Sequence, residues 1–142
     1  MGGPGNSFQW EMNGTIVSTG NILTFVNINA SYGGNYTCVV SNAAGDDSAT
    51  ATLYVIPYIV TQLDESISAV NGSKVNISCD AEGFPTPTIN WVDMQGIEVS
   101  SSMLLQFSPI MFGDEGIYHC VAFSEIDGIN YTMIDQISLN GN

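Results

Sequence analysis

Short runs of alternating apolar and polar residues recur along the chain, and turn-forming residues separate them. Leu23 and Phe25 flank a polar threonine, and Val75, Ile77 and Cys79 alternate with polar residues in the same way. This period of two is typical of β-strands with one buried face. No stretch shows the helical period together with capping residues. The pattern therefore predicts an all-β protein built from short strands.

The second half of the chain has the clearest strand pattern. We expect strands at 62–70, 74–81, 88–93, 97–100, 103–107, 116–124 and 129–139. Asp127-Gly128, between the last two strands, favours a tight hairpin turn because both residue types tolerate positive φ. Short strands separated by frequent turns predict a β-sandwich.

Two segments of the chain superimpose on one another without gaps. The first contains Leu23-Thr24-Phe25, Ile28 and Gly34-Asn35-Tyr36-Thr37-Cys38, and the second contains Leu105-Gln106-Phe107, Ile110 and Gly116-Ile117-Tyr118-His119-Cys120. Trp10 precedes the first cysteine by 28 residues, and Trp91 precedes the second by 29. The chain therefore holds two copies of one unit.

The second copy carries motifs that resemble those of the immunoglobulin superfamily. Cys79 and Cys120 are 41 residues apart, and Trp91 follows Cys79 by 12. Asp114 to Cys120 looks like the family's Asp-x-Gly-x-Tyr-x-Cys corner, and Gly83-Phe84-Pro85-Thr86-Pro87 resembles the turn between strands B and C of I-set and C2-type domains. The resemblance implies tandem immunoglobulin-like β-sandwiches, with domains at 1–57 and 58–142.

The resemblance also assigns roles in the core of the second domain. It implies a disulfide between Cys79 and Cys120 that packs against Trp91, and a Tyr118 hydroxyl that bonds back to the preceding corner. Asp114 has no arginine to pair with anywhere in the chain, so we expect it to accept backbone hydrogen bonds at the turn.

The first domain departs from the family pattern. Trp10 and Tyr36 match the core signature, but a partner for Cys38 would belong about a dozen residues before Trp10, and Met1–Gly5 falls where the turn between the second and third strands should be. We therefore expect a partial domain that lacks its first strands and leaves Cys38 unpaired, the alternative being an intermolecular disulfide through Cys38.

Charge excludes several classes of partner. The chain has 14 acidic residues against one basic residue and a formal net charge of −13. A nucleic-acid binder needs cations to displace the counterions of the phosphate backbone, so this class is excluded. No run of 18 apolar residues exists, and we expect no direct insertion of this chain into a membrane.

Six sequons for N-linked glycosylation occur, more than chance predicts. The candidate asparagines are Asn13, Asn29, Asn35, Asn71, Asn76 and Asn130. Together with the implied disulfide they favour an oxidising compartment, either extracellular or at the cell surface.

No catalytic or metal-binding constellation is apparent. His119 is the only histidine, and its place between Tyr118 and Cys120 puts it on the outer face of a strand without a nucleophile or an orienting acid. No clustered ligand set remains for a metal, and we expect no cofactor. The sequence does not predict an enzyme.

The function we expect is non-catalytic recognition or adhesion. The expected partner is a protein, and a second copy of this chain is one candidate. A low-charge face such as the one that carries Thr37, Val39 or His119 is a candidate surface. Two alternatives stay open: part of the ligand-binding ectodomain of a receptor kinase or phosphatase, and an intracellular muscle-type array of similar domains.

Overall fold

A computed structural model describes residues 5–141, so Met1 to Pro4 of the predicted turn at Met1–Gly5 lie outside the described residues. The predicted all-β class is confirmed: the described residues form thirteen strands and two short 3₁₀ turns, Ala30–Tyr32 and Phe112–Asp114. The chain divides into two compact units, 1–55 and 56–142, with the division two residues before the expected boundary.

Unit 1 contributes one antiparallel sheet of four strands. They are β1 (Ser7–Met12), β2 (Thr15–Ser18), β3 (Gly34–Asn42) and β4 (Gly45–Leu53), in the order β2-β1-β3-β4. Asn13 and Gly14 join β1 to β2 with φ of 51° and 79°. A two-residue type I′ hairpin turn requires positive φ at both of its central residues.

Two faces of this sheet follow from the strand register. Trp10 pairs with Cys38, which pairs with Ala49, so these three side chains share the inner face of unit 1. Thr37 and Thr50 share the opposite, outer face. The segment around Phe25 covers part of the inner face, where the Phe25 ring meets Tyr36 edge-on at a centroid distance of 5.3 Å.

The remaining strands complete the architecture. They are β5 (Val55–Ile59), β6 (Ser66–Ala69), β7 (Val75–Ser78), β8 (Ala81–Phe84), β9 (Thr88–Val92), β10 (Glu98–Ser100), β11 (Leu104–Phe107), β12 (Gly116–Ile126) and β13 (Ile129–Gly141). A five-stranded sheet has the order β10-β9-β12-β13-β6, in which β6 pairs parallel with β13; two-stranded sheets join β11 to β7 and β5 to β8.

The core of unit 2 lies between the five-stranded sheet and the β11–β7 pair. The buried side chains of this core come from these strands and from the segments next to them: Ile77, Cys79, Trp91, Leu105, Ile110, Tyr118, Cys120, Ile137 and Leu139. The turn at Asp127-Gly128 has φ of 51° and 77°, so the hairpin predicted between β12 and β13 is confirmed.

The prediction of one continuous strand at 74–81 was wrong, because Cys79 and Asp80 separate β7 from β8. The Asp80 carbonyl accepts from the amide of Val60 at 2.9 Å, and the Asp80 amide donates to Thr61 Oγ1 at 2.8 Å. Up to Ser78 the chain pairs with β11 as strand β7. The bonds at Asp80 direct it toward β5 instead, so that β8 pairs with β5. The interruption comes from long-range hydrogen bonds, which a local alternation of residues does not encode.

Candidate functional site

The packed centre of unit 2 fixes which side chains face outward. Cys79 and Cys120 form a disulfide with their Cα atoms 6.5 Å apart. Trp91 lies opposite Cys120, is fully buried, and donates its Nε1–H to the Met103 carbonyl at 3.0 Å. Because these side chains point inward, their neighbours in β9 and β12 point to the opposite face.

The Tyr118 corner anchors the start of β12. Its hydroxyl donates to the Asp114 carbonyl at 2.7 Å, and Asp114 Oδ2 accepts from the amide of Met111 at 2.8 Å, which is the kind of backbone bond expected for this aspartate. Burial, followed by the carboxylates of Asp114 and Asp93, raises the pKa of Tyr118 above its usual value of 10.0. The hydroxyl therefore stays protonated and keeps donating.

Unit 1 repeats this corner with different residues. The Tyr36 hydroxyl donates to the carbonyl of Tyr32, and burial, followed by Tyr32, raises the pKa of Tyr36 above 10.0. Trp10 is only half-buried and donates its Nε1–H to the Asn21 carbonyl at 3.3 Å. Cys38, opposite Trp10, is a free and half-buried thiol.

The outer face of the five-stranded sheet forms an extended surface with few charges, which we call the β12 face. It consists of the outward side chains of β9, β12 and β13: Thr88, Asn90, Val92, Ile117, His119, Val121, Phe123, Glu125, Asn130, Thr132, Ile134, Gln136 and Ser138. Ile134 is 59% exposed and Phe123 is 37% exposed. Val121, Phe123 and Ile134 form a row of apolar side chains on this face, and uncharged polar side chains lie beside the row.

A shallow depression of about 400 Å³ lies in this face. Asn90, Val121 and Phe123 line it, together with Glu98 from β10. Asn90 Nδ2 donates to Glu98 Oε1 at 3.1 Å, so the amide is already oriented by the protein. A concave region with an apolar floor and a fixed polar group can receive a projecting side chain of another protein.

Glutamates occupy the margins of the β12 face in the strand register. Glu98 pairs with Val92 across β10 and β9, and Glu125 pairs with Asn130 at the hairpin end. A protein with a net charge of −13 therefore presents a neutral centre here. Such a centre with a polar rim is the usual make-up of a protein–protein interface.

The six candidate glycosylation asparagines are all exposed. Asn130 lies at the hairpin end of the β12 face, whereas Asn76 lies on β7 in the other sheet. Asn130 therefore shares the outward register of the β12 face at its hairpin end, and the other five asparagines lie outside that face. A glycan on Asn35, by contrast, would stand on the outer face of unit 1.

The outer face of unit 1 is a weaker candidate surface because its polar side chains bond to one another. Thr37 and Thr50 hydroxyls lie 3.0 Å apart, and Thr52 Oγ1 donates to Asn35 Oδ1 at 2.7 Å. Val39 lies on the same face as Thr37. Of the three residues that the sequence singled out, His119 alone belongs to the β12 face.

Phe123 and Ile134 were missed by sequence reasoning. The alternation that places Cys120 inward also places residues 121 and 123 outward, so the signal for Phe123 was present. Ile134 could not be assigned without the pairing of Val121 with Ile134 in the β12–β13 register.

Within residues 5–141, no group of three or more histidine, cysteine, aspartate or glutamate side chains is placed to hold a metal ion. His119 faces Val92 and Gln136 across the sheet. None of the described residues forms a helix long and apolar enough to cross a bilayer.

Comparison with known families gives the same result for both units. The family described as "Immunoglobulin domain" matches residues 2–55 and, in a second profile of the same description, residues 56–123. The neural cell adhesion molecule L1 of Takifugu rubripes is 34% identical over 113 residues, which cover 70% of this chain and 9% of that protein. Among the first relatives, the chain spans between 2% and 14% of their lengths.

Solved structures share the fold. A complex of Dpr11 IG1 bound to DIP-gamma gives a TM-score of 0.63 at 16% identity and covers 96% of this chain and 83% of that chain. The I-band fragment I67–I69 from titin gives 0.56 at 21% identity, with 96% and 55% covered. These likenesses extend over both units of the chain and concern the fold alone.

Proposed function

Since the chain belongs to the immunoglobulin superfamily, we propose that it is a non-catalytic segment of a cell-surface or extracellular protein that binds another protein through the β12 face. The observation that carries the proposal is the row of apolar side chains formed by exposed Phe123 and Ile134 and half-buried Val121, which has one of the six glycosylation candidates, Asn130, at its hairpin end. Aromatic residues at the centre of such a patch commonly supply most of the binding energy.

Two further observations support an extracellular or cell-surface location. The disulfide between Cys79 and Cys120 and the exposed sequons suit a secreted environment. The relative named as a neural cell adhesion molecule supports an adhesive role, and the DIP-gamma complex is an example of this fold with a protein partner. A second copy of the chain is the first partner to test.

A glycan placed on the β12 face gives a sharp test. Gln136→Asn completes a sequon with Ser138 at the centre of the face, opposite His119. Gln106→Asn completes a sequon with Ser108 on β11, in the other sheet. The two changes are chemically identical, and each keeps the exposed side chain an amide before glycosylation.

The chain would be produced in a secretory host, glycan occupancy checked by mass spectrometry, and beads coated with each variant scored for aggregation. We expect the unchanged chain and Gln106→Asn to aggregate beads and Gln136→Asn to lose aggregation. If no beads aggregate, binding of the same three proteins to intact cells from the native source is measured by flow cytometry, with the same order expected. Equal binding by both glycan variants would overturn the assignment of the face.

An intracellular structural array is the second candidate, because the titin fragment has the same fold. Non-reducing peptide mapping of the protein from its native source separates the two. A linked Cys79 and Cys120 with glycans on several sequons supports the extracellular proposal. Free thiols and bare asparagines would favour the array instead.

A further inference from the structure

Three asparagines of the chain stand directly before a glycine: Asn13, Asn71 and Asn140. All three side chains are exposed. Asparagine is a chemically labile residue, and a glycine after it leaves the next amide nitrogen unshielded, because glycine has no Cβ to obstruct the approach of that nitrogen to the side-chain carbon Cγ. The three sites therefore have the same local chemistry, and hydrogen bonding in the fold decides which of them can react.

Two backbone hydrogen bonds hold the second site in place. Gly72 donates its amide to the Ile110 carbonyl at 2.7 Å, and Ile110 donates its own amide to the Ser73 carbonyl at 2.8 Å. To react, the Gly72 nitrogen must lose its proton and turn toward Cγ of Asn71. Both changes break its bond to Ile110, so the fold opposes the reaction at Asn71.

A carboxylate holds the third site. Gly141 donates its amide to Oε1 of Glu115. Asn140 and Gly141 also lie in β13 where this strand pairs in parallel with β6, so the backbone on both sides of their peptide bond is fixed. The Gly141 nitrogen therefore has to leave an acceptor before it can react, and hydrogen bonds to charged acceptors are among the strong ones.

The first site has no such restraint. Asn13 and Gly14 form the tip of the β1–β2 hairpin, between the paired residues Met12 and Thr15. Among the described residues, the Gly14 amide has no hydrogen-bond acceptor. Both residues of the tip are exposed, and nothing lies within 4 Å of a Cβ added at Gly14, so no neighbouring element crowds the turn. The Gly14 nitrogen can therefore approach the Asn13 side chain without breaking a hydrogen bond of its own.

We propose that Asn13 is a site of spontaneous deamidation, and that a glycan on the same asparagine blocks the reaction. The Gly14 amide gives its proton to solvent base, and its nitrogen attacks Cγ of Asn13 to close a succinimide ring. The bond between Cγ and Nδ2 breaks, and Nδ2 leaves as ammonia with a proton from water. The site lies in unit 1 and does not depend on the function of the β12 face.

Water then opens the ring in one of two ways. Addition of water at Cγ breaks the bond between Cγ and the Gly14 nitrogen and gives aspartate. Addition at the main-chain carbonyl carbon of residue 13 breaks the original peptide bond and gives isoaspartate, in which the main chain runs through Cγ. No oxidant or reductant is consumed.

Isoaspartate alters the hairpin because it adds one methylene group to the main chain at residue 13. The turn between β1 and β2 requires two central residues with positive φ, and a longer connection no longer matches the twist of the two strands. β2 is the edge strand of its sheet and pairs with β1 alone. The modification should therefore loosen β2 and expose the edge of β1, while β1 stays paired with β3.

Glycosylation competes for the same nitrogen, because Asn13 is the acceptor of the sequon that ends at Thr15. A glycan replaces a hydrogen on Nδ2 with a bulky sugar. The sugar obstructs both the approach of the Gly14 nitrogen to Cγ and the departure of Nδ2. Asn13 therefore has two mutually exclusive fates, and the glycan preserves the hairpin.

The unglycosylated chain tests the selectivity, since all three sites are then bare in one molecule. Protein secreted into a bacterial periplasm is incubated at mildly alkaline pH, digested at acidic pH and mapped by mass spectrometry with fragmentation that distinguishes isoaspartate from aspartate. We expect acid products to form at Asn13 at least about fivefold faster than at Asn71 or Asn140, the factor that one hydrogen bond supplies. In urea the three rates should converge.

Equal rates at the three sites of the folded chain would overturn the proposal, and so would a rate at Asn13 below the other two. A preference for Asn13 that persists unchanged in urea would come from the local sequence and would overturn the role given to the fold.

Two matched variants test the consequences. Asn13→Asp carries the same charge as the isoaspartate form on a normal main chain, so we expect β2 amides to exchange hydrogen faster in the isoaspartate form alone. Thr15→Val removes the sequon and keeps a β-branched residue. In a secretory host, Asn13 should deamidate in Thr15→Val and persist in the glycosylated unchanged chain.

Equal exchange of the β2 amides in the isoaspartate form and in Asn13→Asp would overturn the effect on the hairpin. An unoccupied Asn13 in the unchanged chain, or equal deamidation with and without the glycan, would overturn the protective role of the glycan.

Discussion

Trp10 lies directly opposite Cys38 on neighbouring strands of unit 1. Trp91 and Cys120 have the same relationship in unit 2, where a disulfide from the facing sheet closes the core. Each unit also contains a tyrosine corner, at Tyr36 and at Tyr118. One chain therefore holds a closed and an open version of the same packing arrangement, which makes each an internal control for the other.

Removing the disulfide of unit 2 should be costly. Cys79→Ala together with Cys120→Ala releases a loop closed over a sequence separation of 41, and we expect a loss of about 4 kcal/mol in the free energy of unfolding of unit 2. Urea denaturation followed by tryptophan fluorescence in a Trp10→Phe background, in which Trp91 is the remaining tryptophan, measures it. Cys38→Ala is the matched control and should leave this transition in place; a similar shift in both proteins would contradict the prediction.

Tyr118 should link the stability of unit 2 to alkaline pH. Its folded pKa is raised above 10.0, so the folded state keeps a proton that the unfolded state loses. Stabilisation is complete below pH 10 and falls as the pH rises from there through the folded pKa. We expect the melting temperature of unit 2 to fall above pH 10, and the fall to be smaller in Tyr118→Phe.

The phenylalanine variant also loses a hydrogen bond, at a cost of about 1 kcal/mol at neutral pH. Absorbance titration of tyrosinate separates the two effects. The spectrum of Tyr118→Phe should lack a tyrosine that ionises late in the unchanged protein. A missing tyrosine that ionises at pH 10 or below would contradict the assignment.

The sequence predicted the scaffold better than the surfaces. The hairpin at Asp127-Gly128, the disulfide and the Tyr118 bond to its corner depend on residues whose chemistry allows few alternatives, such as positive φ or a sulfur partner. The break after Ser78 was missed because it depends on contacts between Asp80 and residues about twenty positions earlier. Local alternation carries no information on such contacts.

The candidate binding face was only partly visible for a similar reason. His119 could be placed outward from its two inward neighbours alone. Bringing Phe123 and Ile134 onto one surface required the register of the β12–β13 hairpin, and the depression also required Glu98 from a third strand. A face is a property of several strands, whereas a sequence pattern describes one strand at a time.

Gly128 should be required for its backbone conformation and not for space. Its φ is +77°, and nothing lies within 4 Å of a Cβ added there. Gly128→Ala should therefore destabilise unit 2 by about 1 kcal/mol through strain in the left-handed region. Gly113→Ala, where a Cβ also meets nothing and φ is not positive, is the control. Chemical denaturation of both variants should show a loss for Gly128→Ala alone.

Removing the rings of Phe25 and Phe107 in turn compares how tightly the interiors of the two units are packed. Each ring packs edge-on against its corner tyrosine, at 5.3 Å from Tyr36 and at 5.5 Å from Tyr118. Phe107 is partly buried and packs against the core of unit 2, so Phe107→Ala should cost about 2 kcal/mol in the free energy of unfolding of unit 2. Phe25 borders a depression that is open on the inner face, so its pocket already admits water and Phe25→Ala should cost less. Hydrogen exchange of β3 and β12 amides reports the two units separately, and equal losses in both would show that unit 1 is packed as tightly as unit 2.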